Sequence, residues 1–552
     1  MHKCGLFDYL PKNKEIEMKR SIFIVLLLVC AVFFIAAKKG NKKKDINKYK
    51  KQNRNTVSEI VEGEEEAAEK YFKAYLKKKP EDLESRYGLV LALTKQNKLD
   101  EALKYLEESL DKGLSFSRYI AGPRNMLTKL YETPKYKELF AKHATPVIHG
   151  PLLGSTGSDF MSVWVRTDVE RTVKLQLSEK KDFSSIEAEA ESRSSAKDDF
   201  TAVVKVSGLK ASTKYFYRII CEEKVQESRG RQELTTFPAK GEKAKFSITF
   251  GGGAGYNPQF ERMWDTMREH NPMAMLLLGD NVYIDTPEIV ETQKYCYYRR
   301  QSRNEYNAFV SQTPVFAVYD DHDFGDNDCY GSPDKDFPKW KRPVVKVFQD
   351  NWANPSYGGG EENPGCWFSM NMGDVDFFFM DNRYYRDKQT LKKPGKTMLG
   401  AYQKAELKRK LSASKATFKV ICSTVPVAKG TKPGSFDTWD GYDEEREEMF
   451  DFLADNKIEG VFIMSADRHR SDAWKIDRKK GYPLYEFMSS RLTNVHVHPV
   501  MPKSLFGYNK KCSFGKMTFD LSKDDPTATY EIYSIDNEKI HSMTLKRSQL
   551  KD

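Results

Sequence analysis

The residues best suited to chemistry sit in three short stretches. LLLGDNVY carries Asp280 and Tyr283, FAVYDDHDFGDND carries Asp320, Asp321, His322 and Asp323, and FIMSADRH carries Asp467 and His469. Each stretch begins as an apolar run that reads as a β-strand, and in open α/β sheets ligands gather beyond the carboxyl ends of strands. A single aspartate after a strand is most often a turn former or a helix cap. Several carboxylates crowded together repel one another and raise each other's pKa, a cost that a bound cation removes. Oxygen and nitrogen donors without thiolate suit hard or borderline ions.

The elements that must position these residues read as a multi-domain chain. From residue 245 to 552, strands such as KFSITFGG, MAMLLLGD, PVFAVYDD, VDFFFMDN, FKVICSTVP and GVFIMSAD alternate with helical stretches such as YNPQFERMWDTMREH and DEEREEMFDFLAD. Continuous apolar strands are covered on both faces, so this is a layered α/β domain. Over 146–240 the period changes to apolar–polar alternation in MSVWVRT, TVKLQLS, FTAVVKVSGL and KYFYRIICEE, which predicts a small β-sandwich. The stretch SGLKASTKYFYRI resembles a fibronectin type III edge, and the domain reads as a spacer. Residues 56–145 are helical by pattern. Ala68, Ala102 and Tyr136 recur at 34 residues, as do Phe72, Leu106 and Phe140, which resembles the tetratricopeptide repeat and predicts docking on the next domain.

Charge is concentrated at the start of the chain. Of the formal +11, +9 falls within residues 1–60, and no basic helix interleaved with aromatics argues for nucleic acid. Residues 38–55 read as a basic, solvated linker. Residues 1–37 read as a signal peptide or membrane anchor, because the apolar run at 22–37 suits a signal-peptide core. Export to a periplasmic or extracellular location is expected, with membrane contact only through this segment. Lys38 to Arg54, at +8, pulls the other way through the positive-inside rule. The six cysteines beyond Ala37 form no CxxC pair, and their number is compatible with one or two disulfides in an oxidising compartment without fixing any pairing.

GDNVY, DDHDFGDND and SADRH, in that order and at that spacing, resemble the motifs of the PhoD-like alkaline phosphatases, a branch of the metallophosphoesterases. DNRYYRD at 381–387, TWDGYDEER at 438–446 and SSRLTN at 489–494 add to the likeness, which runs from about residue 146 to the end. The resemblance implies hydrolysis of phosphate mono- or diesters by a metal-activated hydroxide, with two metal ions, iron with calcium or else manganese or zinc. It implies Asp280 as the bridging ligand and Tyr283 as a phenolate ligand that favours iron(III). Asp321 becomes a ligand of the second metal, His322 the residue that contacts the phosphate and stabilises or protonates the leaving oxygen, and Asp467 and His469 the ligands that close the two spheres.

One strand end departs from this pattern. FGGGAGY, residues 250–256, has neither the Cys nor the Asp that such proteins place there. Gly252 and Gly253 are expected instead to bring backbone amides to a phosphate. Arg383 and Arg468 are candidates for bidentate phosphate contact. His496 and His498 read as a surface-loop pair, and the aromatic clusters at 294–300 and 381–387 read as packing. The alternative reading is a degenerate phosphatase fold that acts as a binding or scaffold protein through its helical repeats. Met18, followed by Lys19 and Arg20, reads as the true initiator. Amino-terminal sequencing of unprocessed product is expected to begin there, and product beginning at Met1 would overturn the assignment.

Overall fold

The structure, a computed structural model, describes residues 51–552 apart from 228 and 229. The apolar run at 22–37 and the linker up to residue 50 lie outside the described residues. Among the described residues no helix is long and apolar enough to cross a membrane.

The helical region packs consecutive helices Glu65–Lys78, Leu83–Lys95 and Leu99–Asp111, followed by shorter ones ending with Pro134–His143. The 34-residue spacing is explained by packing: Ala68, Phe72, Ala102, Leu106 and Tyr136 are buried. A Cβ at Gly88 would stand 2.2 Å from the Phe72 ring, so only glycine lets the first two helices approach this closely. The helix Leu83–Lys95 is buried from Glu84 through Thr94. A helix covered on all sides is an interior element rather than a surface repeat. It lies against the 290–301 helix of the following α/β domain. Buried Glu84 accepts hydrogen bonds from Arg118 and from Tyr295, both at 2.9 Å, and Tyr87 stacks on Tyr295.

The linker reading for 38–55 does not hold at its end. Residues 51–61 are helical, and Asn53 and Arg54 are buried. Ser58 Oγ meets Thr292 Oγ1 at 2.8 Å, and Arg54 reaches the backbone oxygen of Tyr283. Cationic side chains normally stay in water, but Arg54 finds a carboxylate and a carbonyl in the α/β domain and is buried by them.

Strands β1 (Val147–Thr156), β2 (Phe160–Thr167), β3 (Thr172–Ser178), β4 (Ala188–Arg193), β5 (Thr201–Ser207), β6 (Lys214–Cys221), β7 (Lys224–Val225) and β8 (Glu233–Thr235) make two antiparallel sheets, β1-β2-β5 and β4-β3-β6-β7 with β8 on β6. Val163 and Val204 of one sheet and Leu175 and Ile219 of the other share one apolar cluster, as alternation predicts for a sandwich. The 294–300 aromatics are packing: Tyr295, Tyr297 and Tyr298 are buried, and Tyr298 donates to Asp199.

The α/β domain contains β9 (Lys245–Gly251), β10 (Met275–Leu278), β11 (Val315–Val318), β12 (Phe368–Met372), β13 (Val375–Phe379), β14 (Phe418–Cys422), β15 (Val461–Ser465), β16 (Ser471–Ile476), β17 (Leu484–Met488), β18 (Phe506–Tyr508), β19 (Ser513–Asp520), β20 (Thr527–Ser534) and β21 (Lys539–Lys546). One sheet runs β11-β10-β9-β19-β20-β21, the other β12-β13-β14-β15-β17-β16-β18. Phe519 of the first sheet meets Phe377, Phe418 and Phe462 of the second at ring separations of 5.9, 5.9 and 6.2 Å. The two sheets therefore face each other across an aromatic core. Strands β9, β10 and β11 are parallel, as are β13, β14, β15 and β17. Their carboxyl ends meet at one edge, where Gly252 pairs with Ser490 and joins the sheets.

Among the described residues there is no disulfide: Cys221, Cys296, Cys329, Cys366, Cys422 and Cys512 are buried thiols. Among the described residues Glu84 is the carboxylate paired with the fully buried Arg118. Glu84→Ala is expected to cost about 3–5 kcal/mol, as when one member of a buried pair is removed. A fall in the denaturation midpoint checks this, and an unchanged midpoint would show that docking of the helices does not depend on the pair.

Candidate functional site

The β10 strand is followed by Gly279, whose φ is +91° and whose Cβ position lies 2.4 Å from the Cβ of Asp320. Glycine is required here because two strand ends, each carrying an aspartate, come together without room for a side chain. Asp280 follows at φ +55°, and Asp285, Asp467 and His469 are also left-handed. Non-glycine residues held in this region are sparse and cluster at functional sites. Asp323 holds the β10 loop against the 321–324 turn by accepting from the backbone nitrogens of Asn281, Val282 and Asp320. It serves as a brace, and burial lifts its carboxyl to about 7.

Tyr283 Oη donates to Asp280 Oδ2 at 2.7 Å and lies 3.1 Å from His469 Nε2. Burial pushes Asp280 well above the usual carboxylate range; His322 opposes this and Asp321 adds to it. Asp280 Oδ1 is buried without a hydrogen-bond partner. Ligand atoms of Asp280, Asp321 and His322 lie within 4.8 Å of one another. An orphaned carboxylate oxygen beside a second carboxylate, an imidazole and a phenol fits a cation.

His322 Nδ1 is hydrogen-bonded to Asp285. Burial works against its charged form, but Asp321, Asp280 and Asp285 outweigh this and raise the imidazole to about 9. Asp285 is paired in turn with Arg54 at 2.7 Å. Neither Asp285 nor Arg54 was visible in the sequence as a site residue, because a lone aspartate in YIDTP and an arginine ending a basic run carry no local signal.

The arginine expectations divide. Arg383 is fully buried; its guanidinium binds both oxygens of Asp320, at 2.6 and 3.0 Å, and reaches Asp437 at 2.8 Å. With those donors engaged, it ties β11 to the 381–387 turn, and contact with a substrate would require breaking buried ion pairs. Arg386 and Lys432 also face Asp437. Burial alone would raise Asp437, but these three cations hold it well below the ordinary range. Asp321, Asp328 and Asp437 lie close enough to share a cation, yet Asp437 is already neutralised by side chains. Arg468 differs: it is buried, its Nε has no partner, and Nη1 lies 3.7 Å from Asp467.

Gly252 and Gly253 do not present amides to a ligand. Their N–H groups donate to Ser489 and Gly279, and that of Ala254 donates to Asp280. A Cβ at Gly253 would stand 2.9 Å from Ser490 Oγ and 3.0 Å from the Arg491 nitrogen. The glycines permit close approach of the 489–494 segment rather than of a phosphate. Asp467 lies on the same edge but in none of the three clusters of potential ligands found among the described residues. His469, by contrast, joins both Tyr283 and a group with His496 and His498.

A family model described as PhoD-like phosphatase matches residues 248–524, one described as its N-terminal domain matches 135–237, and a tetratricopeptide repeat model matches 61–121. Alkaline phosphatase D of Bacillus subtilis (strain 168) is 23% identical over 317 residues, which cover 49% of this chain and 53% of that protein. The match thus spans about half the length of that curated relative. A solved structure titled "Structure of PhoD" superposes with a TM-score of 0.62 at 17% identity, covering 72% of this chain and 90% of its own. Purple acid phosphatase PPD1 from yellow lupin seeds gives 0.52 at 12% identity, covering 72% of this chain and 75% of its own. At such identities these structures show a shared fold. The first family match covers half of the chain, its N-terminal companion adds the sandwich, and the chain belongs to the PhoD-like phosphatase family.

Proposed function

We propose that the chain hydrolyses phosphate mono- or diesters with the aid of two metal ions held around Asp280. The observation that carries this reading is Asp280, which has a buried, partnerless Oδ1 and a carboxylate within 4.8 Å of ligand atoms of Asp321 and His322. Asp280 and Tyr283 would hold one ion with His469, and Asp280 and Asp321 the other, with Asp467 beside them. Such a pair of ions supplies charge to clamp the phosphate oxygens and to lower the pKa of the attacking water. Iron with calcium, manganese or zinc fits the donor set.

The chain's own residues do the rest. His322, oriented by Asp285, donates a proton to the leaving oxygen. Cations on Asp280 and Asp321 would remove part of the charge that raises its pKa, bringing it nearer the working range. Arg468 offers N–H groups to a non-bridging phosphate oxygen. Arg383 keeps Asp320 and Asp437 compensated and, 3.8 Å from Asp321, favours the ionised form of that carboxylate. The scaffold alternative draws less support, because the central repeat helix is covered by the protein itself. The sandwich, which we read as fibronectin type III-like, serves as a spacer, and the N-terminal segment directs export.

Asp280→Asn is expected to abolish the binding of at least one ion and to lower turnover of p-nitrophenyl phosphate or its bis-ester by more than about 1,000-fold. Elemental analysis and steady-state kinetics check this, and wild-type turnover in the variant would falsify the reading. His322→Ala is expected to lower kcat by about 10²–10⁴-fold, the usual contribution of a general acid, while the ions remain bound.

A further inference from the structure

The segment after β17 carries a second group of potential ligands. Ser490 pairs with Gly252, and the backbone nitrogens of Leu492 and Thr493 donate to the carbonyls of Gly252 and Gly253. Thr493 Oγ1 donates to the Gly255 carbonyl at 2.8 Å. These bonds fix the segment on the glycine run, on the side where His469 lies. Asn494 then acts as a pivot. Its Oδ1 accepts from the His496 backbone nitrogen at 3.0 Å, while its Nδ2 donates to Tyr283 Oη and stands 3.3 Å from His469 Nε2. Beyond it, Asn509 Nδ2 donates to the His498 carbonyl at 2.9 Å, which holds the far end of the loop.

The result is that ring nitrogens of His469, His496 and His498 lie within 4.8 Å of one another. The ring centroids are 4.5–5.5 Å apart, and the His496 ring stands nearly perpendicular to the other two. His469 is buried, His498 is half-buried and His496 is exposed, so the group opens to solvent on one side. Imidazole nitrogens favour zinc, copper, iron and nickel, whereas the oxygen-rich cluster at Asp280 and Asp321 suits harder ions. Three histidines with an open fourth position are the arrangement of a reactive zinc rather than a structural one, which is closed by four protein ligands.

We propose that His469, His496 and His498 form a three-nitrogen site for a borderline divalent transition ion, zinc above all, beside the Asp280 centre and open to water or to a phosphate oxygen. The site shares only His469 with the phosphoesterase reading and does not require that reading to be correct. It commits the HxH pair at 496–498 to metal binding rather than to a solvated loop.

The test uses the full chain, stripped with a chelator and titrated with zinc, with cobalt(II) as a spectroscopic probe. The wild type is expected to bind one more zinc per chain than the double variant His496→Ala with His498→Ala. Cobalt is expected to give a visible band that the variant loses. At the remaining site residues the zinc affinity is expected to fall by more than about 100-fold, beyond the 10–100-fold that loss of an outer-shell partner costs. An unchanged denaturation midpoint of the metal-free variant shows that the fold is kept. Equal zinc stoichiometry in wild type and double variant, or affinities within about threefold, would overturn the proposal. Asp280→Asn separates the two readings. If it keeps zinc at the histidine site but loses turnover, both stand. If it keeps turnover while the double variant loses zinc, only the phosphoesterase reading fails.

Discussion

Buried carboxylates at strand ends are the constraint around which the α/β domain is arranged. Asp280, Asp320, Asp321, Asp323 and Asp437 are all buried at one edge of the two sheets, where each charge costs several kcal/mol unless compensated. The protein answers in three ways. Asp320 and Asp437 are neutralised by Arg383, with Arg386 and Lys432 assisting. Asp323 is satisfied by three backbone N–H groups. Asp280 is left with an orphaned oxygen, and Asp321, held by the backbone nitrogens of His322 and Asp328, stands beside it. The first two answers make the third tolerable, because they fix the positions of the strand ends and keep the local charge from accumulating. Arg383, whose Nη2 also lies 3.8 Å from Asp321, is therefore a support for the candidate centre.

The sheet edge also explains the glycines. Gly279 lets two aspartate-bearing strand ends meet, and Gly252 and Gly253 let the segment after β17 close over β9. That segment delivers Asn494, which joins Tyr283 and His469 through its side-chain amide. The position where a first-strand ligand is expected is thus filled by chain from the opposite sheet.

Much of this was legible in the sequence, and the limits have physical causes. Six strands were readable because parallel strands covered on both faces are continuous apolar runs, and the aspartates and histidines at their ends could be ranked by residue type. Strands β12 and β16 to β21 were not singled out; they include antiparallel strands such as β20, whose burial alternates and whose polar positions dilute the signal. Residue type placed Arg383 and the glycine run near the site but could not name their partners, Asp320 and Ser490, which lie 63 and more than 200 positions away. The HxH spacing was visible, whereas its approach to His469 depends on the docking of a loop. Asp285 and Arg54 had no local pattern at all. The buried cysteines show a similar limit: their number permitted disulfides, but pairing depends on separation in space.

The bond from Arg54 to the Tyr283 carbonyl spans 229 positions of sequence. Domains form roughly in the order in which the chain is synthesised, and contacts between distant segments are slow to form because a long loop must first close. The helix around Arg54 leaves the ribosome long before its partners at 283 and 285 exist. It must stay out of other associations until the β10 loop has folded. The Arg54–Asp285–His322 connection consequently cannot close until residue 322 has emerged, and a nascent chain interrupted before β10 holds a helix with a buried-type cation and nowhere to place it.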